Sequence, residues 1–144
     1  TFGGVTVYED FAHHPTAIRA TLAAARSRYP DRPLWAVWQP HTFSRTRNLF
    51  DEFITAFDQA DHIITTEIYA ARETGETFSA AQIVERMHHP DARFLPTLDE
   101  TTRFLVEVLR PGDVLLVLSA GDADQISTQV LTELRKRERN HGER

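Results

Sequence analysis

The sequence predicts a single layered α/β domain in which helices flank a mostly parallel sheet. Short apolar runs typical of strands alternate along the whole chain with segments whose apolar residues recur at helical spacing. This alternation favours parallel strands joined by right-handed crossover helices. At 144 residues the chain has the size of one domain with a substantial core, and it contains no internal repeat or low-complexity linker.

Each predicted strand is a short apolar run bounded by polar or turn-forming residues. The run that follows Asp113 is the clearest buried strand, and the run at 34–38 is apolar throughout. Uninterrupted runs of this kind are expected of strands that are covered on both faces. In chain order, the predicted strands are residues 5–8, 34–38, 62–66, 93–95 and 113–118.

A helix is predicted after each strand. His14 can cap the first helix, with Pro15 in a first turn where the missing N–H of proline has no cost, and Ser79 can cap the third. The apolar stripes run from Ile18 to Tyr29, from Leu49 to Phe57, up to about Met87, from Leu98 to Leu109 and from Ile126 to Leu134. Residues 68–77 are expected to form a loop. Together these elements predict a three-layer, Rossmann-like fold.

The composition excludes several classes of function. The chain has no cysteine, so it cannot use disulfides, thiolate metal sites or thiol catalysis. Its net charge of −5 gives no overall positive field to attract nucleic acid, and the basic run at 135–139 is expected to be a solvated helix end. No apolar run approaches the roughly 20 residues that span a bilayer. We therefore expect a cytoplasmic protein without nucleic-acid or membrane partners.

Two polar clusters stand where predicted strands end. Residues 9–16 read Glu-Asp-Phe-Ala-His-His-Pro-Thr, and residues 39–47 read Gln-Pro-His-Thr-Phe-Ser-Arg-Thr-Arg. In open α/β sheets, the carboxyl ends of the parallel strands form the ligand-binding edge. We therefore expect both clusters at one edge, with an anionic ligand as the occupant.

In the first cluster, Asp10 is placed to accept hydrogen bonds from a ribose diol, and a carboxylate at this position can equally cap the following helix. His13 lies at a strand-to-helix turn, where it can hydrogen bond a phosphate beside the helix amides or be a structural side chain. Adjacent histidines point in different directions, so His13 and His14 are not expected to ligate one metal ion. No metal site is predicted.

In the second cluster, Arg45 offers a planar fork that matches a carboxylate, and His41 can add a hydrogen-bond donor or act as a local base. Alternatively, Arg45 and Arg47 only begin a helix and face solvent. Cations are disfavoured at a helix N-terminus. Two arginines at such a position therefore favour a bound anion.

The sequence contains no phosphate-binding loop. Residues 119–122, Ser-Ala-Gly-Asp, follow the most buried strand, and small residues there allow a ligand or a loop to approach the backbone. The segment lacks the spacing of a dinucleotide fingerprint and no lysine directly follows it. Lys136 is the one lysine of the chain. If ATP is used, we expect its phosphates to be held by a different domain.

Together these motifs resemble the C-terminal domain of the Mur ligases, ATP-dependent enzymes that attach amino acids to the peptidoglycan precursor. Residues 9–16, 39–47 and 119–122 carry the resemblance, with a further likeness at 68–73, and order and spacing agree along nearly the whole chain. Within the family, the motifs are similar to those of members that add L-alanine to UDP-N-acetylmuramate. The resemblance implies that the chain is about the last third of such an enzyme, without its UDP-sugar domain and its central ATP-binding domain.

The resemblance implies an amide-forming ligation through an acyl phosphate, with ATP, L-alanine and UDP-N-acetylmuramate as ligands. It implies that Asp10, Phe11 and His13 contact the nucleotide, and that His41 and Arg45 face the incoming amino acid. It also implies Mg²⁺, held together with ATP mainly by the missing central domain. No catalytic residue is expected in this domain alone, so we expect the isolated domain to be inactive.

Some positions depart from the family pattern. Thr42 stands where many alanine-adding relatives carry an arginine, so the carboxylate grip is expected to be weaker or shared with Arg47. Phe11 replaces a frequent tyrosine. Residues 11–18 are also similar to the ligase that recycles murein tripeptide, but that relative typically lacks the loop at 39–47. A nucleotide- or anion-binding module without catalysis, and a structural α/β domain without a ligand, are the remaining alternatives.

Overall fold

The computed structural model describes residues 4–70 and 78–142, with the backbone alone for residues 138–142. Within these ranges, the strands are β1 (Thr6–Asp10), β2 (Leu34–Gln39), β3 (His62–Thr65), β4 (Ala92–Phe94) and β5 (Val114–Ser119). The helices are α1 (Pro15–Arg28), α2 (Phe43–Asn48), α3 (Phe50–Phe53), α4 (Ala81–Arg86), α5 (Leu98–Val108) and α6 (Asp124–Gly142). None of these helices is both long and apolar enough to cross a membrane.

The five strands form one parallel sheet in the order β1-β5-β2-β3-β4. The last strand of the chain therefore lies between the first two, and every residue of β2 and β5 is buried. The mostly parallel sheet predicted from the alternation of strands and helices is confirmed. Because the strands all run in the same direction, their carboxyl ends lie at one edge of the sheet.

Side chains that alternate along each central strand pack into two separate cores, one on each face of the sheet. In β2, Leu34, Ala36 and Trp38 belong to the first core, whereas Trp35 and Val37 belong to the second. Helices α1, α3 and α4 cover the first core, with Ile18, Leu22, Phe53 and Ile83. Helices α5 and α6 cover the second, with Leu105, Ile126, Val130 and Leu134. The three-layer fold expected from the sequence is confirmed.

Of the two predicted capping residues, His14 is confirmed and Ser79 is not. His14 Nδ1 accepts a hydrogen bond from the backbone N–H of Thr16 at 3.2 Å, and α1 begins at Pro15. The N-cap of α4 is Ala80, which has no side-chain capping bond, and Ser79 precedes it, with its Oγ accepting a hydrogen bond from the N–H of Ala81 at 3.2 Å. Of the loop predicted at 68–77, residues 71–77 lie outside the described residues.

The apolar stripe from Leu49 to Phe57 was predicted to form one helix, but it does not. It comprises the single turn α3 followed by further turns, and α2 precedes it as a separate helix. Leu49, between α2 and α3, has φ −108° and ψ 18°, which interrupts the helical geometry. The stripe is nonetheless buried, since the rings of Phe53 and Phe57 lie 4.5 and 5.1 Å from that of Trp38. The pattern predicted burial correctly, because consecutive turns can bury the same side chains as a helix.

Candidate functional site

The two polar clusters meet at the carboxyl edge of the sheet. β1 ends at Asp10 and β2 ends at Gln39, with the end of β5 between them. The rings of His13 and His41, one from each cluster, have centroids 6.2 Å apart. The convergence of the clusters, which was expected from the direction of the strands, is therefore present in the structure.

Asp10 is half-buried and holds the turn between β1 and α1. Its Oδ1 accepts a hydrogen bond from the backbone N–H of Ala12 at 2.8 Å, and its Oδ2 accepts one from the hydroxyl of Thr21 at 3.3 Å. The residue also lines a cavity of about 150 Å³ between the ends of β1 and β5, together with Phe11 and Gly121. A carboxylate offers about four acceptor positions. Asp10 can therefore shape the turn and still accept hydrogen bonds from a diol.

Phe11 and His13 follow Asp10 on the same rim. Phe11 is 80% exposed and contributes almost nothing to the core, so its ring is available to a ligand or to a neighbouring domain. His13 Nδ1 lies 2.9 Å from the carbonyl oxygen of Phe11. Because a carbonyl can only accept, Nδ1 carries a proton, and the neutral ring presents Nε2 as an acceptor. His14 bonds Thr16 instead, so the adjacent histidines have different partners, as expected.

His41 and Arg45 flank the start of α2, and both side chains are half-buried. Arg45 Nη1 lies 3.3 Å from His41 Nδ1. The ring of Tyr69 stacks on the His41 ring, with centroids 5.7 Å apart and an angle of 19° between the planes. A guanidinium held in this way can bind a carboxylate through two parallel N–H groups.

Thr42, between these two residues, has a strained backbone. Its φ of 62° and ψ of 145° place a β-branched residue in a region that L-residues rarely adopt. Four hydrogen bonds hold it there. Thr42 N–H donates to the carbonyl of Tyr69 at 2.8 Å, and its Oγ1 accepts from the N–H of Arg45 at 3.4 Å. Its carbonyl accepts from the hydroxyl and the N–H of Thr46 at 2.7 and 3.2 Å. Strain held by surrounding contacts is typical of functional loops.

The helix that carries Arg45 and Arg47 is shorter than predicted. The sequence predicted a longer helix with Arg45 and Arg47 at its N-terminus. Instead, α2 has only six residues, so Arg45 belongs to both its first and its last turn, and Arg47 lies in the last turn, where cations are favoured. Their place on the helix therefore requires no anion. The case for one now depends on the half-buried guanidinium of Arg45 beside His41.

Gln39 joins the end of β2 to the loop that follows β5. The side chain is 5% exposed, and its Nε2 donates to Asp122 Oδ1 at 2.6 Å. Its Oε1 accepts from the hydroxyl of Ser119 at 2.8 Å and from the N–H of Ala123 at 3.2 Å. A Cβ atom on Gly121 would lie 2.7 Å from this Oε1 and 2.7 Å from Cγ of the Tyr69 ring, so a larger residue here would displace these side chains.

Tyr69 was not among the predicted site residues. Residues 68–73 were singled out only for their likeness to the family, and no chemistry was assigned to them. The available signal was the position of Tyr69 just after β3, at the same edge as both clusters. The preceding Glu67 has a structural role, because its carboxylate accepts from the hydroxyl of Ser79 and the N–H of Ala80 and so fixes the start of α4.

Two carboxylates with lowered pKa values, Asp61 and Asp91, lie at the opposite edge, just before β3 and β4. Burial alone would raise the pKa of Asp61, but a hydrogen bond from Arg26 holds it below its ordinary value. Burial alone would also raise the pKa of Asp91, but His62 and Arg93 stabilise its charged form and lower the pKa.

Within the described ranges, no group of three His, Asp or Glu side chains is arranged to hold a metal ion.

Comparison with known proteins identifies the family. The sequence model of the family described as Mur ligase, glutamate ligase domain, matches residues 1–121. The chain is 45% identical over 132 residues to a UDP-N-acetylmuramate–L-alanine ligase from Roseiflexus castenholzii, across 91% of this chain. It is 48% identical over 129 residues to a ligase of the same name from Nitratidesulfovibrio vulgaris, across 85% of this chain.

A solved structure agrees with this result. A murein peptide ligase from Psychrobacter arcticus superimposes with a TM-score of 0.75 and 27% identity over 93% of this chain and 28% of that protein. The chain also spans only 28% of the length of each of the two curated relatives. From the family match over most of its length and from the shared fold, this chain belongs to the Mur ligase family.

Proposed function

We propose that this chain is the C-terminal domain of an ATP-dependent UDP-N-acetylmuramate–L-alanine ligase of peptidoglycan synthesis. The observation that carries the proposal is its identity of 45% and 48%, over most of its length, to two ligases of that name. The chemistry of the carboxyl edge supports it. A carboxylate, two imidazoles and a guanidinium lie along one rim, and such a set can serve a nucleotide and an amino acid side by side.

On the amino-acid side, Arg45 binds the carboxylate of L-alanine and thereby points the amine towards the reacting acyl group. His41 adds a hydrogen bond to the same substrate. Positioning of this kind lowers the barrier because two reactants are held in the geometry of attack. Thr42 supplies only a short hydroxyl next to them, so binding of the substrate carboxylate depends on Arg45. The other arginine of residues 39–47 is Arg47, on the same helix.

On the nucleotide side, Asp10 accepts hydrogen bonds from the ribose hydroxyls of ATP. The exposed ring of Phe11 packs against the nucleotide or the domain that holds it. His13, with a proton on Nδ1 directed to the carbonyl oxygen of Phe11, places Nε2 towards the nucleotide. The phosphates are held elsewhere in the enzyme, since the chain has no phosphate-binding loop.

The complete reaction has two steps. ATP phosphorylates the muramoyl carboxylate, and the amine of L-alanine then displaces phosphate from this acyl phosphate to give the amide, ADP and phosphate. The described side chains do not fit a magnesium site, because no three acidic or imidazole groups converge. In this proposal, the domain contributes binding, orientation and positive charge, and Mg²⁺ and the phosphates of ATP are assigned to the central domain. A reaction that consumes ATP also implies a cytoplasmic enzyme.

A murein tripeptide-recycling ligase is the second candidate, supported by the structural likeness to a murein peptide ligase. The full-length protein that contains this chain separates the two. We expect phosphate release that depends on ATP, UDP-N-acetylmuramate and L-alanine together, and a much lower rate when the murein tripeptide replaces L-alanine. The reverse preference would select the recycling ligase. If neither L-alanine nor the murein tripeptide supported turnover, a binding module without catalysis would be favoured.

The isolated 144-residue chain provides a further test. We expect it to form no amide from ATP, UDP-N-acetylmuramate and L-alanine, because it lacks the groups that hold the phosphates. Measurable ligation by this chain alone would contradict the division of labour proposed here. Backbone NMR shifts at Asp10 and Arg45 on addition of ATP and L-alanine would report residual binding.

A further inference from the structure

We propose that Tyr69 is a positioning residue that fixes the ring of His41 in the amino-acid site. The inference rests on the proposed function for the identity of the substrate, but the contacts that carry it are independent of any ligand. It assigns to the segment after β3 a part in a site otherwise built from the segments after β1 and β2.

Two hydrogen bonds hold the backbone of Tyr69. Its N–H donates to the carbonyl of Pro40 at 2.8 Å, and its carbonyl accepts from the N–H of Thr42 at 2.8 Å. These two bonds form a parallel bridge between His41 and Tyr69 and so extend the pairing of β2 with β3 beyond the regular strands. The strained conformation of Thr42 occurs at this bridge.

Two neighbouring residues, His41 and Gly121, hold the ring of Tyr69. It stacks on His41 and also lies against Gly121, where an added Cβ would approach Tyr69 Cγ to 2.7 Å and Cδ1 to 2.9 Å. Gly121 belongs to the loop after β5, which Gln39 ties to the end of β2. The ring therefore contacts two neighbouring loops whose backbones are themselves fixed. It is 37% exposed, so this placement owes little to burial in the core.

The contact with Arg45 determines which ring nitrogen of His41 carries the proton. A guanidinium can only donate, so the contact of Arg45 Nη1 with His41 Nδ1 makes Nδ1 an acceptor and places the proton of the neutral ring on Nε2. Protonation of Nδ1 would also set a second positive charge beside Arg45. His41 thus serves as a hydrogen-bond donor through Nε2, and Tyr69 keeps the ring in the orientation that allows it.

The first test needs no enzyme activity. The imidazole ¹⁵N shifts of His41 are measured by long-range ¹H–¹⁵N correlation in the 144-residue chain and in its Tyr69→Phe and Tyr69→Leu variants. We expect the Nε2–H tautomer in the wild type and in Tyr69→Phe, and a mixture of tautomers in Tyr69→Leu. His62, which stacks on Trp35 at 3.9 Å at the opposite edge, is the internal control. An unchanged Nε2–H tautomer in Tyr69→Leu would overturn the inference.

A second variant covers the case in which Tyr69→Leu folds poorly. Gly121→Ala keeps the tyrosine but displaces its ring, together with the end of the Gln39 side chain, so the same mixture of tautomers is expected. In the full-length enzyme, Tyr69→Leu should raise the KM for L-alanine about two- to tenfold, the value of an aromatic contact, with the KM for ATP unchanged. An equal rise in both KM values would overturn the positioning role. Lack of L-alanine-dependent turnover in the wild type would instead refute the proposed function, and the tautomer measurement would still decide the role of Tyr69.

Discussion

Replacement of Gln39 by leucine tests whether the carboxyl edge is a connected unit. Leucine keeps most of the volume of this buried side chain but removes its three hydrogen bonds to Ser119, Asp122 and Ala123. Two neutral bonds contribute about 1 kcal/mol each and the bond to a carboxylate about 1.5–3 kcal/mol. Ala123 keeps a second acceptor in Ser119 Oγ at 3.3 Å, and Asp122 is half-exposed, so water replaces part of the loss.

We therefore expect Gln39→Leu to lower the free energy of unfolding by about 2–4 kcal/mol. Urea denaturation followed by circular dichroism measures this as a fall of roughly 1–2 M in the midpoint. Gln59→Leu is the matched control, because the Gln59 side chain is exposed, and it should leave the midpoint within about 0.3 M. If Gln39→Leu behaved like the control, the end of β2 and the loop after β5 would not support each other, and this description of the edge would be refuted.

Two further predictions concern the core and the dependence on pH. Trp38→Ala removes a fully buried ring that packs on Phe53, so it should lower the free energy of unfolding by about 3–5 kcal/mol in the same denaturation assay. Against the effect of burial, His62 lowers the folded-state pKa of Asp91. The Asp91 carboxylate therefore contributes fully to the free energy of unfolding above its unfolded pKa of about 3.9. This contribution is lost as the pH falls through the folded-state pKa. Urea midpoints measured below about pH 4 should therefore fall less steeply in Asp91→Asn than in the wild type, and identical slopes would show that the ion pair contributes nothing.

Much of the fold was predictable because burial leaves a local signature. The runs in β2 and β5 contain almost no polar side chains, which is expected only of central strands with helices on both faces. The order of the strands was not predicted. β5 lies between β1 and β2, and apolar runs of similar composition do not reveal which of them are neighbours.

The candidate site was predictable to the extent that it depends on strand ends. Asp10 and Gln39 terminate parallel strands, so their convergence followed from direction alone. The length of the helix that carries Arg45 and Arg47 was misjudged, because a stripe of apolar residues does not show where Leu49 interrupts the helix. Tyr69 was missed because its contacts with His41 come from a bridge between loops 28 residues apart, which no local pattern encodes.

The claim that this edge holds the amino acid is tested most directly by Arg45→Ala in the full-length enzyme. Loss of charge-assisted hydrogen bonds to the substrate carboxylate should raise the KM for L-alanine about 10- to 100-fold and leave the KM for ATP within about twofold. Arg86→Ala, at the exposed end of α4, is the control and should change neither value. An equal rise in the KM values for L-alanine and ATP, or no rise in either, would contradict the account.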